Sequence, residues 1–266
     1  MKKLTDEYIE SLNNRFHTAS LHEVLEFVFK TYDKHAILAS SLGLEDQLLS
    51  HEWLSINAKA RIFVLDTGRL NKETYDVIDK MQEKYKFDYE IYHPIQADVN
   101  TYVNTKGLNA FYERVDYRKE CCHIRKTEPL GRVLKTVSVW ITGLRIKQSV
   151  TRQEMQLFEY DRAHNILKVN PLIHWDFDAV FSRVKELKIP YNILHNKGYP
   201  SIGCEPCTRA IKEGEDKRAG RWWWENPDQK ECGIHIVDGK IVRNKSEKNK
   251  PDQNKINVKN NQSEVE

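Results

Sequence analysis

The chain has 266 residues, with 42 Lys and Arg against 39 Asp and Glu, a net charge of +3 and 10% aromatic residues. That length suffices for one or two domains with a sizeable core, and the near balance of charge excludes a basic coat for nucleic acid. No apolar run approaches the roughly 20 residues that cross a bilayer, and Met1-Lys2-Lys3-Leu4-Thr5-Asp6-Glu7 lacks the apolar centre of a signal peptide, so a cytoplasmic location is expected.

Leu21, Val24, Leu25, Val28 and Phe29 recur at helical spacing after Ser20, a suitable N-cap. Ala36-Ile37-Leu38-Ala39 reads as a buried strand. It runs into Ser40-Ser41-Leu42-Gly43 and then a helical pattern through Gln47, Leu48 and Leu49. Strand, small polar loop, helix is an arrangement that aims backbone N–H groups at an anion, although an ordinary βα turn has the same outline. The Gly-Lys-Ser/Thr of a Walker loop is absent.

Arg61–Leu65 is a second strand, leading into Asp66-Thr67-Gly68. A helix through Thr74, Val77, Ile78 and Met81 follows, then a strand over Tyr89–Tyr92. Further on come a helix through Leu130, Val133 and Leu134, a strand over Val137–Ile141 ending at Thr142-Gly143-Leu144-Arg145, a strand over Leu167–Asn170, and a helix over Ala179–Leu187. Alternating strands and helices predict an α/β fold with a doubly wound, mostly parallel sheet. Ligands of such sheets sit beyond the carboxyl ends of the strands. Three polar clusters fall there: Ser40-Ser41, Asp66-Thr67-Gly68 and Thr142–Arg145. Asp238-Gly239 marks a hairpin turn. From Asn244 the chain is almost devoid of apolar residues, which predicts a disordered tail over 244–266.

Five cysteines, an odd number, point to metal-binding or reactive thiols in a reducing compartment rather than a disulfide framework. Cys204-Glu205-Pro206-Cys207 brings two thiols close together. The side chains of adjacent Cys121 and Cys122 diverge, which suits the separated corners of a four-iron cluster better than one zinc ion; zinc and a dithiol remain alternatives. Cys232 is the fifth thiol, a candidate nucleophile or an inert buried side chain. Trp222-Trp223-Trp224 cannot all enter one core and points to a ligand lid or a partner surface, with burial in the core as the alternative. The many basic residues around the cysteines, Lys126, Arg145, Arg218 and Arg221 among them, could together clamp a polyanion.

Taken together, Cys121-Cys122 with Arg125-Lys126, Gly203-Cys204-Glu205-Pro206-Cys207, Gly220-Arg221-Trp222-Trp223-Trp224-Glu225 and Glu231-Cys232-Gly233-Ile234-His235 resemble the assimilatory sulfonucleotide reductases, specifically the iron–sulfur branch that reduces adenosine 5′-phosphosulfate (APS). The resemblance covers about residues 20 to 242. It implies an adenine-nucleotide α-hydrolase-like fold, related to ATP pyrophosphatases, with Ser40, Ser41 and Gly43 in the place of the pyrophosphate loop. It further implies a [4Fe–4S] cluster on Cys121, Cys122, Cys204 and Cys207, and Cys232 as the nucleophile that takes the sulfonate and yields it as sulfite to a thioredoxin-like dithiol donor. Ser40, Ser41, Gly43, Asp66, Thr67, Gly68, Lys126, Arg145, Arg218 and Arg221 would contact the substrate. The expected organisation is a sulfonucleotide-binding domain over 1–207, a mobile lid with Cys232 over 208–243, and the tail. The implied partners are a small sulfonucleotide, the dithiol protein and, as an open option, a second copy of the chain; neither nucleic acid nor membrane is among them. The 3′-phosphorylated substrate (PAPS) is the alternative. A non-catalytic four-cysteine metal module is a more remote one.

Overall fold

The computed structural model describes residues 4–148 and 154–225. Among the described residues six strands form one sheet in the order β3-β2-β1-β4-β6-β5: β1 (Ala36–Ser40), β2 (Arg61–Leu65), β3 (Glu90–Tyr92), β4 (Val139–Ile141), β5 (Phe158–Asp161) and β6 (Ile166–Val169). All neighbours are parallel except β5, which pairs antiparallel with β6. The α/β, doubly wound reading holds, with an antiparallel edge strand added.

Successive side chains of the central strands go to opposite faces, as the strand period of two demands. Ala36 and Leu38 of β1, Ile62 and Val64 of β2, and Val139 and Ile141 of β4 enter the larger apolar core. Ile37, Phe63 and Trp140, the residues between them, enter a second core on the other face. Both faces are therefore covered, as parallel sheets require, and the strands read as continuous apolar runs.

On the larger core lie α1 (Asp6–Phe16), α2 (Leu21–Tyr32), α3 (Leu44–Ile56) and α8 (Phe177–Glu186). Helix α2 starts as predicted: the Ser20 hydroxyl accepts from the Glu23 amide, and the Glu23 carboxylate accepts from the Ser20 amide. Helix α4 (Lys72–Tyr85) adds Val77 and Met81 to the same core, and α7 (Glu128–Leu134) closes the smaller one. Helices α5 (Gln96–Lys106) and α6 (Val115–Cys122) complete the described set. No helix among the described residues is long and apolar enough to cross a membrane.

Candidate functional site

The chain leaves β1 toward β2 and β3 on one side, while β4 lies on the other side and leads to β6 and β5. The gap between β1 and β4 is thus the switch point of the sheet, where a crevice opens beyond the strand ends. A cavity of about 620 Å³ occupies that place, within the range of small-molecule sites. Its walls come from three strand ends: Ser40–Gly43 after β1, Thr67 after β2, and Thr142–Arg145 after β4.

The β1 loop is shaped by its own hydrogen bonds. Leu42 takes a left-handed backbone with φ 62°, a strained choice for a residue with a branched side chain. The Leu42 amide donates to Ser40 Oγ at 3.2 Å. Gly43 caps α3 without a side-chain hydrogen bond to the first turn. The N-terminus of a 13-residue helix, carrying its partial positive charge, therefore faces the cavity.

Arg145 is buried and paired. Its Nε donates to Glu45 Oε1 at 2.8 Å, and its Nη2 lies 2.6 Å from the same oxygen. Gln148 also donates to Glu45 Oε1, at 2.9 Å. Arg145 thus reaches the cavity wall with its charge largely neutralised. Lys217, Arg218 and Arg221 add cationic groups from the chain after the Cys204–Cys207 turn. Arg221 is buried, with its Nη1 3.3 Å from both Ser201 Oγ and the Ile202 carbonyl. A Cβ at Gly203 would collide with this guanidinium, so glycine there lets Arg221 lie against the backbone.

The four described cysteines form a second site beside the first. All are free thiols; Cys122, Cys204 and Cys207 are buried and Cys121 half-buried. They gather with Phe111 and Trp222 in a third apolar cluster. A small cavity of about 20 Å³ lies among them, rimmed by Arg69, Arg118, Arg125 and Lys126. Cys121 and Cys122 close α6, and the chain continues as one wide π-helical turn over His123–Thr127. Such turns displace side chains from α-helical register and recur at functional sites. Lys126, carried on this turn, lines both cavities.

Burial pushes the Cys207 thiol up to about 12, with Cys204 and Cys122 adding to the rise. Burial also raises Cys121 against the pull of Arg125. At Cys204 burial is the largest influence, but Lys126, a hydrogen bond to Thr67, Arg221 and Arg125 together outweigh it and lower the value. The Cys204 thiol donates to Thr67 Oγ1 at 3.3 Å, and Arg125 Nη1 donates to the Thr67 carbonyl at 2.5 Å. Among the described residues no group of three or more His, Cys, Asp or Glu is arranged around a single metal ion.

Of the residues singled out in the sequence, Ser40, Ser41, Gly43, Thr67, Lys126, Arg145, Arg218 and Arg221 come together on the larger cavity. Asp66 and Gly68 are not among its lining residues: Asp66 Oδ1 accepts from the Gly68 amide and the Tyr75 hydroxyl, each at 2.8 Å, and so braces the turn that carries Thr67. Cys232 and the Asp238-Gly239 hairpin lie outside the described residues. The tryptophans separate as their number requires. Trp222 is buried, Trp224 packs half-buried on Tyr112, and Trp223 is 48% exposed. Sequence reasoning missed Asp46, Phe177 and the placement of His195. His195 lines the cavity with Nδ1 donating to the Tyr199 carbonyl at 2.8 Å, and burial lowers its pKa. Its neighbours Asn196 and Lys197 turn away to Tyr191 and Glu73.

Comparison with known proteins gives the same grouping. Residues 35–210 match the phosphoadenosine phosphosulfate reductase domain. A Burkholderia cepacia protein named adenosine 5′-phosphosulfate reductase is 53% identical over 217 residues, which cover 82% of this chain and 86% of that protein. One of the same name from Allochromatium vinosum is 48% identical, with 82% and 84% covered. Among solved structures, a phosphoadenylyl-sulfate reductase from Candida auris, in a phosphate complex, aligns with a TM-score of 0.67 at 26% identity, covering 79% of this chain and 99% of that one.

Proposed function

This chain belongs to the phosphoadenosine phosphosulfate reductase domain family, and on that premise we propose that it reduces adenosine 5′-phosphosulfate to sulfite and AMP at the expense of a dithiol. The observation that carries the reading is that a nucleotide-sized cavity at the sheet's switch point and a pocket of four thiols share Lys126 in their walls. A phosphosulfate end near Lys126 would be met by Arg218 and Arg221 as well. Preorganised cations there stabilise the charge that grows on the departing phosphate.

In the proposed sequence the Cys232 thiolate attacks the sulfur of APS. A Cys232 Sγ–SO3⁻ bond forms, the sulfur–oxygen bond to the phosphate breaks, and AMP leaves with the bonding pair. A thiolate of a thioredoxin-like donor then attacks Cys232 Sγ, and sulfite leaves with the electron pair of the S–S bond. The donor's second thiol attacks the mixed disulfide, releasing Cys232 and an oxidised donor. Sulfur has gained two electrons and one dithiol has become a disulfide.

The four-thiol pocket fits a [4Fe–4S] cluster in donor chemistry and charge. Four free thiols line one pocket, and a rim of three guanidiniums and Lys126 suits a centre whose thiolates make it net negative. Cys121, Cys122, Cys204 and Cys207 would hold it. When bound, such a cluster supplies a compact negative centre and ties the α6 and Cys204–Cys207 segments together. Lys126 and Arg221 orient the substrate.

The test is sulfite release with reduced thioredoxin, with APS and PAPS side by side. Wild-type protein is expected to release sulfite from APS, and Cys232→Ser to release none and to form no protein-bound sulfonate. Unimpaired release by Cys232→Ser would remove the assigned nucleophile. Preference for PAPS, the substrate in the name of the Candida auris neighbour, would replace APS by its 3′-phosphorylated form.

A further inference from the structure

Two consecutive acidic residues open α3, and both reach across the switch point. Glu45 goes to Arg145 and Gln148, where a cation meets it. Asp46 does something else. Its Oδ2 accepts from the Ser41 amide at 2.7 Å and from the Ser41 hydroxyl at 2.5 Å. Its other oxygen, Oδ1, packs against the backbone of Gly143, so closely that a Cβ on Gly143 would collide with it. A single side chain, 7% exposed, therefore joins the loop after β1 to the loop after β4. Those loops are the two lips of the crevice.

A buried carboxylate served by neutral donors alone is a costly way to tie two loops, because hydroxyl and amide donors offset less of the lost hydration than a cation does. Burial accordingly raises its pKa to about 7, against the Ser41 hydrogen bonds, which oppose the rise, and with Glu45 adding to it. Packing alone would be served as well by an apolar side chain. The geometry is narrower: one oxygen accepts from Ser41 while the other sits against the Gly143 backbone, so the side chain sets the separation of the two loops.

We propose that Asp46 is a positioning residue that clamps the Ser40–Leu42 loop to the Thr142–Arg145 loop and so sets the width of the crevice for the nucleotide's anionic group. The inference rests on the nucleotide reading above. Asp46 acts through the loops: it holds Ser41 and Gly143 together, and the Ser40–Gly43 and Thr142–Arg145 segments that they belong to line the crevice.

The test uses the full chain with its iron content matched, AMP as the calorimetric probe and APS in the assay. Asp46→Asn keeps the size but removes the charge and leaves one oxygen in place of two, so either Ser41 loses its acceptor or an NH2 group is set against the Gly143 backbone. Gly143→Ala keeps Asp46 and drives a methyl group into it. Each is expected to weaken AMP at least ~10-fold and to raise KM for APS similarly, while kcat changes less than about 3-fold, as lost ground-state positioning does. The thermal midpoint of Asp46→Asn is expected to stay within about 4 °C of wild type. Unchanged AMP affinity and KM in both variants would overturn the clamp. So would a large drop in midpoint or failure to fold for Asp46→Asn with normal AMP binding in Gly143→Ala, which would mark Asp46 as a folding residue. If the wild-type chain itself fails to bind AMP, the nucleotide reading falls and the clamp with it, an outcome distinct from the first two.

Discussion

Lys126 owes its position to a local irregularity. In a regular α-helix the residue four places after Cys122 would sit above it on one face; the π-helical turn over His123–Thr127 changes that register, and Lys126 comes to the wall shared by both cavities. Losing one preorganised charge at a developing anion costs about 10²-fold or more in turnover. Lys126→Ala is therefore expected to lower sulfite release by at least ~10²-fold at unchanged iron content; equal rates per iron would remove Lys126 from the reaction. Asp46 predicts a pH effect on stability. Its folded pKa, about 7, stands above the ordinary 3.8, so between those values the folded state keeps a proton that the unfolded chain gives up. Stability from this group is full at the acid end and is lost as pH rises through the window. Urea unfolding at pH 5 and pH 8 should thus show a smaller loss in Asp46→Asn than in wild type, and an identical loss would show that the carboxylate ionises normally.

At the level of elements, the segment Gly220–Glu225 is held to the rest by a buried ion pair. Arg118 of α6 donates from Nε and Nη2 to the two oxygens of Glu225, at 2.9 and 2.7 Å, with side chains 1% and 3% exposed. The same guanidinium lies 4.8 Å from the Trp222 ring. The Trp222 amide donates to the Cys207 carbonyl, and Thr208 bridges to Arg221. Removing one partner of a buried pair strands the other charge at a cost of about 3–5 kcal/mol. Glu225→Ala should lower amide protection at Trp222 and Glu225 by that order, read by hydrogen exchange, with the sheet amides unaffected; uniform loss across the sheet would contradict a locally held segment. Such pairings explain which parts of the site are visible in the sequence. Strand ends are marked by apolar runs that stop at Ser40, Asp66 and Thr142, so the loops around the crevice can be read directly. The cysteine pairs announce themselves by residue type. Asp46 cannot be found this way, because an acidic residue in the first turn of a helix already has a sufficient reason in the helix dipole. Arg118 reads as surface charge until its partner, 107 positions away, is brought to it. Strand β5 and helix α5 carry weak patterns: β5 is an edge of mixed polarity, and α5 buries only Tyr102.

The described residues of the molecule form three apolar clusters rather than one. Two lie on the faces of the sheet and are built from strands and helices. The third contains the cysteines, Phe111 and Trp222, and no sheet residue belongs to it. Its apolar content is small, so the proposed cluster would add to the Arg118–Glu225 pair a second tie between the end of α6, the Cys204–Cys207 turn and Trp222. Metal-dependent stability is therefore expected to be local. Structural metal sites transfer their binding free energy to the segments that carry the ligands, whereas the sheet faces bury their apolar side chains independently of those ligands. Removing iron with a chelator under reducing conditions should expose the Trp222–Trp224 run to solvent and to protease, seen as a red shift in tryptophan fluorescence and cleavage after Thr208. The far-UV circular dichroism of the α/β body should stay nearly constant. A single cooperative collapse of both signals on chelation would mean that the third cluster and the two sheet cores fold as one unit, and that the sulfur pocket supports the whole sheet rather than one side of its crevice.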